Sequence, residues 1–104
     1  MNKKLAQAAG PQWPAVRDIT LGELLREAAE TVPDRIALIS GAKDRTQRRS
    51  WTYRELYAQA YLAAQVLRQK FQPGERVAVF APNSPEWVML EFACAMAGVV
   101  LVTI

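Results

Sequence analysis

Carboxylates are the side chains of this sequence that could perform acid–base or metal chemistry, because histidine is absent. Without histidine there is no Ser-His-Asp or Cys-His relay and no imidazole ligand for a metal. The acidic residues are Asp18, Glu23, Glu27, Glu30, Asp34, Asp44, Glu55, Glu75, Glu86 and Glu91. No two of them fall in a recognisable site motif. Glu23 and Glu27, and likewise Glu27 and Glu30, share a helix face by their spacing, and we interpret them as solvated rather than catalytic.

The glycines of this sequence do not form a phosphate-binding loop. Neither G-x-G-x-x-G nor G-x-x-x-x-G-K-[ST] occurs, and the apolar run Val77–Ala81 is followed by Pro82–Pro85 (PNSP) where a dinucleotide-binding fold places glycines. Ser84 and the amides after it have the chemistry to bind an anion at a helix start. A serine before a proline is also a typical helix cap, and we favour the cap.

The formal net charge is only +3, and the one basic cluster is Lys43, Arg45, Arg48 and Arg49 in a polar loop. Neither a basic helix nor interleaved aromatic side chains accompany this cluster, as they do on nucleic-acid-binding surfaces. We therefore predict a solvated loop and no nucleic-acid partner.

Cys94 is the only cysteine and lies in a strongly apolar segment, so we interpret it as a small core residue. A lone cysteine cannot form an internal disulfide, which agrees with a reducing compartment. No apolar run approaches the roughly 20 residues that span a bilayer, and Met1–Gly10 lacks the apolar centre of a signal peptide. These features predict a cytoplasmic protein without a transmembrane segment.

The helices and strands that would position these side chains are predicted most clearly at the C-terminal end of the sequence. Val77–Ala81 and Val99–Ile104 are short apolar runs rich in β-branched residues, which is typical of parallel strands covered on both faces. Between them, Ser84 can cap a helix, and Gly98 can end it because glycine tolerates left-handed dihedrals. The pattern predicts a βαβ unit and an α/β fold, with a partial parallel sheet and flanking helices.

The helix of this unit, Trp87–Ala97, is almost wholly apolar, since Glu91 is its only charged residue. A surface helix normally has a polar face. We therefore predict that this helix is covered on its outer side too, either by the rest of a longer polypeptide or by a partner subunit in self-association.

Two helices and a hairpin are predicted before this unit. Thr20 with Glu23 matches a capping box that opens the first helix, which Pro33 ends. Ile36–Ser40 and Arg49–Trp51 are predicted strands of a hairpin, joined through a polar loop.

Thr52 with Glu55 forms a second capping box, at the start of the longest helix. Its predicted buried stripe is Leu56, Ala60, Ala63, Ala64, Leu67 and Phe71. Before the first helix, residues 1–18 are predicted to be an extended segment anchored by Trp13, and residues 19–104 an incomplete subdomain.

Several segments, in their order and spacing, resemble the N-terminal part of the AMP-forming acyl-CoA synthetases, within the adenylate-forming superfamily. The matching stretches are Thr20–Leu25 (TLGELL), Pro33–Leu38 (PDRIAL), Ser50–Leu56 (SWTYREL), Gly74–Val79 (GERVAV), Pro82–Glu86 (PNSPE) and Ala95–Ile104 (AMAGVVLVTI). Each stretch is weak alone, and their combination is fairly specific. These stretches resemble those of fatty-acid and related acid:CoA ligases more than those of peptide-synthetase adenylation domains.

The resemblance implies a reaction in two steps. A carboxylic acid, of the fatty-acid type, attacks ATP to give an acyl-adenylate and pyrophosphate, and the thiol of CoA then displaces AMP. ATP, Mg²⁺ and CoA are thus the implied cofactors of the parent enzyme. In this family the phosphate loop with its lysine, the adenine and ribose contacts and a C-terminal lysine come later in the chain. The resemblance therefore assigns no catalytic, cofactor-binding or metal-binding residue to this chain.

The resemblance also implies an N-terminal piece, the first part of the large N-terminal domain, because the family continues with Asn-Pro and hundreds more residues after a strand like Val99–Ile104. We expect the piece alone to be inactive and to bind no ATP. An alternative is a self-standing, non-catalytic α/β module that associates through Trp87–Ala97. A third is an adenylating enzyme whose acceptor is not CoA. Acyl chain length, acceptor and oligomeric state stay open.

Overall fold

The structure is a computed structural model that describes Ala6 and residues 8–104. Within that part of the chain, helices and strands alternate after an extended N-terminal segment. The elements are α1 (Leu21–Thr31), β1 (Ile36–Ile39), a 3₁₀ turn (Arg45–Gln47), β2 (Ser50–Thr52), α2 (Tyr53–Lys70), β3 (Arg76–Val79), α3 (Pro85–Ala97) and β4 (Val100–Thr103). The predicted elements are all present, and their ends differ from the predicted ends by one or two residues.

Capping by threonine begins α1 and α2, but the two caps differ. At α2, the Glu55 amide donates to Thr52 Oγ1 and the Thr52 amide donates to Glu55 Oε1, each at 3.2 Å, so the capping box is complete. At α1, the Glu23 amide donates to Thr20 Oγ1 at 3.2 Å, whereas no return bond from Thr20 to the Glu23 carboxylate is found. The prediction of a full box at Thr20 is therefore wrong in its second half.

Both ends of α3 follow the prediction. The Trp87 amide donates to Ser84 Oγ at 3.3 Å, and Pro85 takes the first helical position. At the other end, Gly98 has a φ of 73° and donates its amide to the Cys94 carbonyl. A residue with a side chain would be strained there, so glycine is the residue that lets the chain turn from α3 into β4.

The four strands form two separate two-stranded sheets rather than one. β1 and β2 pair antiparallel as the predicted hairpin, with Ile39 opposite Ser50. β3 and β4 pair parallel, with Val77 opposite Leu101 and Ala78 opposite Val102, and α3 makes the crossover between them. The predicted βαβ unit and the partial parallel sheet are confirmed.

Two apolar clusters share the helix pair α2 and α3. The first, between this pair and the parallel sheet, contains Ala64, Leu67, Ala93, Cys94, Ala97 and Val99. The second, between the pair, α1 and the hairpin, is built on Leu25, Leu56 and Ala60. Ala60, in the second cluster, and Ala93, in the first, have no exposed surface at all. The predicted stripe of α2 is confirmed, with Ala63 and Phe71 only partly buried.

The cover of α3 differs from the prediction. Met89, Phe92 and Met96 pack against the second cluster, under α1 and α2. The residues of α3 that remain exposed are Glu86, Glu91 and Ala95. Two helices of this chain, α1 and α2, thus pack on α3, whereas its outer cover was predicted to come from a longer polypeptide or a partner subunit. Sequence periodicity does not show which helices will be neighbours.

Exposed apolar side chains lie on the parallel sheet instead. Side chains of Val77 and Leu101 point into the first cluster, whereas Ala78, Phe80, Val100 and Val102 are exposed. We call these four side chains the open face. The apolar strand sequences predicted cover on both faces of this sheet, and in this structure only one face has it.

The N-terminal segment is held differently from the prediction. Trp13 is 84% exposed, so it does not anchor the segment. Arg17 instead donates from both terminal nitrogens to the two carboxylate oxygens of Glu27 on α1, each at 2.8 Å. Residues 1–5 and Gln7, which belong to the predicted extended segment, lie outside the described residues.

Candidate functional site

A groove of about 410 Å³ lies at the junction of the three helices. α2 contributes Tyr57, Tyr61 and Arg68 to its walls, α1 contributes Arg26, and α3 contributes Met96. The two tyrosine rings are 6.1 Å apart between centroids and tilted by 36°. The groove thus combines aromatic and cationic groups on rigid helices.

Both arginines of this groove already have partners within the chain. Arg26 pairs with Glu30 one turn along α1, at 3.0 Å. Arg68 donates to the Met96 carbonyl oxygen at 3.3 Å, close to the C-terminus of α3, where a cation is favourable. The cations thus stabilise helix ends and faces, and the groove contains no nucleophile–base pair among its described walls.

A smaller cavity of about 320 Å³ lies between the hairpin and the start of α3. Its walls include Ile39, Ser40, Asn83, Ser84 and Val88. The Ser84 hydroxyl, the residue considered above for anion binding, accepts the Trp87 amide and so acts as the cap. The cap interpretation of Ser84 is confirmed by this contact.

The basic cluster of the polar loop is partly used to hold the chain together. Arg48 Nε donates to the Ala42 carbonyl at 2.7 Å. Arg49 bonds Glu86 Oε1 on α3 at 3.2 Å, and its guanidinium carbon is 5.1 Å from the centre of the Trp51 ring. All four basic side chains are exposed, as predicted for a solvated loop. The Arg49 contact ties the hairpin to the helix of the βαβ unit.

Most of the acidic side chains accept a hydrogen bond from a non-acidic residue of the chain. Those with a hydrogen bond are Glu27, Glu30, Asp34, Asp44, Glu55, Glu75 and Glu86. Among the described residues, no three His, Cys, Asp or Glu side chains lie close enough together to hold a metal ion. The interpretation of the Glu23, Glu27 and Glu30 face as non-catalytic fits the pairing of Glu27 with Arg17 and of Glu30 with Arg26.

Hydrogen bonds lower the pKa of three carboxyls. The pKa of Glu86 falls because its carboxylate accepts its own backbone amide at the start of α3, with a smaller effect of Arg49. The pKa of Glu27 falls because of the hydrogen bonds from Arg17. The pKa of Asp44 falls because the Thr46 hydroxyl and amide both donate to it. Each of these groups is kept charged, which suits a structural contact and not a proton-transfer role at neutral pH.

Cys94 is confirmed as a core residue, since it is 1% exposed in the first cluster. Burial raises the pKa of its thiol above the usual value. A buried neutral thiol is a poor nucleophile, so Cys94 contributes packing and not chemistry.

The described residues therefore form a scaffold of caps, packed helices and a small parallel sheet. A family model described as "AMP-binding enzyme" matches residues 25–104 of this chain. The chain belongs to the AMP-binding enzyme family. Its resemblance to the N-terminal part of adenylate-forming enzymes, and the α/β fold that this implied, are confirmed.

Curated relatives of this chain include acyl-CoA ligases. The acyl-CoA ligase SID4 of Ajellomyces capsulatus is 39% identical over 106 residues, covering 98% of this chain and 17% of that protein. The human mitochondrial medium-chain acyl-CoA ligase ACSF2 is 33% identical over 86 residues, covering 82% of this chain and 13% of that protein. The chain thus spans less than a fifth of the length of these two relatives.

Solved structures of adenylate-forming enzymes have a backbone fold similar to that of this chain. The N-terminal domain of FACL13 from Mycobacterium tuberculosis matches with a TM-score of 0.73 and 31% identity, over 83% of this chain and 21% of that one. The N-terminal subdomain of Klebsiella oxytoca NpsA, in complex with 3-hydroxybenzoyl-AMSN, matches with a TM-score of 0.72 and 31% identity, over 82% of this chain and 20% of that one.

The prediction that this chain carries no catalytic, cofactor-binding or metal-binding residue stays a prediction. Neither of the two cavities described above is lined by a lysine or by a glycine-rich loop. No helix among the described residues is long and apolar enough to cross a membrane.

Proposed function

We propose that the protein containing this chain is an ATP-dependent acid:CoA ligase. It activates a carboxylic acid, of the fatty-acid type, as an acyl-adenylate and transfers the acyl group to CoA. ATP, Mg²⁺ and CoA would be its cofactors. The observation that carries this proposal is the match of residues 25–104 to the AMP-binding enzyme family together with acyl-CoA ligase relatives at 33–39% identity.

The role proposed for the chain itself is structural. Its α2–α3 pair and parallel sheet supply part of the N-terminal subdomain, and the groups that bind ATP and acid come from polypeptide outside these residues. The chain alone is then inactive and binds no ATP. Calorimetry with Mg·ATP on the 104-residue chain tests this, and saturable micromolar binding would contradict it. Residues 1–18 as an extended segment and 19–104 as an incomplete subdomain are part of the same proposal.

An adenylating enzyme whose acyl acceptor is not CoA is a close alternative to this proposal. One relative, 38% identical over 80 residues, is a salicylyl-CoA synthase / salicylate adenylyltransferase of Streptomyces sp.. One matching structure, with 32% identity, is NpsA-ThdA, an artificial fusion of an adenylation domain and a PCP. These two show that the same kind of scaffold occurs in proteins named for CoA and in one fused to a carrier protein. We favour CoA because the curated relatives above are acyl-CoA ligases.

The experiment uses the complete gene product that contains this chain. Acid-dependent exchange of pyrophosphate into ATP is measured with a panel of fatty acids of increasing length and of aryl acids. CoA and a pantetheinylated carrier protein are then compared as acceptors. We expect exchange with fatty acids and thioester formation with CoA. Absence of exchange with every acid would overturn the proposal, and transfer to the carrier protein alone would replace CoA as the acceptor.

The alternative function, a non-catalytic module that associates through α3, has less support. Met89, Phe92 and Met96 of α3 pack in the second cluster, and the exposed residues of this helix are Glu86, Glu91 and Ala95. A cytoplasmic location is proposed on the single buried Cys94, a free thiol of the kind that persists in a reducing compartment.

A further inference from the structure

Two large apolar side chains of the N-terminal segment lie almost fully in water. Trp13 is 84% exposed and Val16 is 99% exposed. The segment is nevertheless attached to the fold directly after Val16, because Arg17 donates two hydrogen bonds to the carboxylate of Glu27 on α1. An indole is thus held close to the three helices without being buried by them.

The groove at the junction of the three helices lies next to this attachment. Thr20, the N-cap of α1, is one of the residues that line it, and so are Glu23 and Arg26 of the same helix. Glu27, which binds Arg17, follows Arg26 directly in α1. The ion pair therefore places the segment beside the helix that forms one wall of the groove.

The walls of the groove suit an indole better than a charged ligand. Tyr57 and Tyr61 supply aromatic surface, and the guanidinium groups of Arg26 and Arg68 can stack on the face of a tryptophan ring. Both arginines have a partner within the chain, so the groove does not offer an uncompensated positive charge to an anion. Its volume of about 410 Å³ lies within the range of pockets that hold small molecules, roughly 300 to 1,000 Å³, and so accommodates one indole.

The segment is long enough to bring Trp13 into the groove. Trp13 precedes Arg17 by four residues and Thr20 by seven. An extended chain spans about 3.4 Å per residue, so Trp13 reaches about 14 Å from Arg17 and about 24 Å from Thr20. Packed helices lie about 8–10 Å apart, so even the shorter reach spans the distance from α1 to the tyrosines of α2. The ion pair of Arg17 can therefore persist while the indole enters.

We propose that residues 11–16 form a strap that closes over this groove, with the indole of Trp13 packed against Tyr57 and Tyr61. The structure shows the open form of the strap, in which Trp13 is exposed. Closing removes the indole from water, and the entropy cost is reduced because the Arg17–Glu27 pair already holds one end of the strap. A second copy of this chain would have to supply its tryptophan from solution, whereas the tether keeps Trp13 at a high effective concentration.

The test crosslinks the strap to the groove in the complete gene product that contains this chain. Ala15→Cys places a thiol on the strap, and Gln65→Cys places a second thiol on the α2 wall of the groove. In the matched control, Gln59→Cys replaces Gln65→Cys, because Gln59 is exposed on the same helix and does not line the groove. A short bismaleimide joins the thiols, and mass spectrometry identifies the joined peptides, so that other cysteines do not interfere.

We expect Ala15→Cys to crosslink to Gln65→Cys roughly ten-fold faster than to Gln59→Cys, because the closed strap holds its thiol beside the groove. Addition of Trp13→Ser should lower the faster rate to that of the control, since no indole is then available to dock. Equal rates for the two α2 positions would overturn the proposal. A fast crosslink to Gln65→Cys that Trp13→Ser leaves unchanged would overturn it as well.

A second measurement needs no cysteine. The protein is labelled with fluorotryptophan, and Trp13→Phe assigns the fluorine resonance of Trp13. We expect this resonance to have a smaller solvent isotope shift than free fluorotryptophan, and Tyr61→Ala to increase the shift by exposing the indole. Leu62→Ala is the control, because Leu62 is 57% exposed next to Tyr61 and does not line the groove. It should leave the shift unchanged.

Each remaining outcome of this measurement also decides the proposal. A Trp13 resonance with the solvent isotope shift of the free amino acid would show that the strap stays open. A protected resonance that Tyr61→Ala and Leu62→Ala affect equally would show that the indole docks outside the groove. Either result would overturn the proposal. None of these readouts is enzymatic, so a failure of the proposed ligase activity would be seen separately.

Discussion

Gly98 shows how a single residue determines where helix gives way to strand. Its left-handed φ of 73° turns the chain, after which the Val99 amide donates to the Cys94 carbonyl at 3.0 Å and β4 can begin. A Cβ added at Gly98 would be 3.7 Å from Pro73 Cβ, an ordinary contact. The cost of a side chain there is therefore backbone strain and not a clash.

We expect Gly98→Ala to lower the free energy of unfolding by about 1 kcal/mol. Gly41→Ala is the control, because Gly41 has open space around it and no positive φ. Its free energy of unfolding should stay within about 0.5 kcal/mol of the wild type. Urea denaturation of the three proteins measures the difference. An equal effect of the two substitutions would contradict the role given to Gly98.

The caps of α1 and α2 differ by one hydrogen bond, and this difference can be tested. The complete box at α2 predicts coupling between Thr52 and Glu55, whereas the half box at α1 predicts none between Thr20 and Glu23. In double-mutant cycles with alanine, we expect a coupling energy of about 0.5 kcal/mol or more for the first pair and close to zero for the second. Similar coupling in both cycles would contradict the difference between the caps.

The second cluster has a small side chain at its centre. Ala60 is fully buried in this cluster, whereas Ala58 is exposed on the same helix. We expect Ala60→Leu to lower the free energy of unfolding by about 2 kcal/mol, because the added atoms overpack the cluster. Ala58→Leu should change it by less than about 0.5 kcal/mol. Chemical denaturation monitored by circular dichroism distinguishes the two.

The sequence predicted these elements because their signals are local. Ser84 before Pro85, Thr52 before Glu55 and the β-branched runs each act within a few residues. The cover of α3 was not predicted, because it depends on how α1 and α2 fold back over it. The anchoring of the N-terminal segment was missed for the same reason: Arg17 and Glu27 are ten positions apart, and no local rule pairs them.

At the scale of the whole molecule, the sequence identified the family better than the site. Capping and strand motifs of the N-terminal part are enough for the resemblance, and residues 25–104 match the family model. In our proposal the groups that bind ATP come from polypeptide outside these residues, and these motifs therefore do not predict them. The open face of β3–β4 was not predicted either, since Phe80, Val100 and Val102 are exposed where the apolar strand sequences predicted cover.

Two ion pairs join parts of the molecule that are far apart in sequence, and they make its stability depend on pH. Arg17–Glu27 holds the N-terminal segment to α1, and Arg49–Glu86 holds the hairpin to α3. The pKa of each carboxyl is lowered in the folded state, first by the hydrogen bond to Arg17 for Glu27 and by the backbone amide for Glu86. The exposed positions of both pairs mean that salt screens them.

A carboxyl whose pKa is lower in the folded than in the unfolded state stabilises the fold above its unfolded pKa, here the ordinary value of 4.5. That stabilisation is lost as the pH falls through the folded pKa. We therefore expect the Tm of the wild type to fall below pH 4.5, and the fall to be smaller in Glu86→Gln, which binds no proton there. Glu91→Gln, a carboxylate removed from the same helix away from its start, is the control and should follow the wild type. Parallel pH profiles for Glu86→Gln and the wild type would show that the charge of Glu86 does not stabilise the fold.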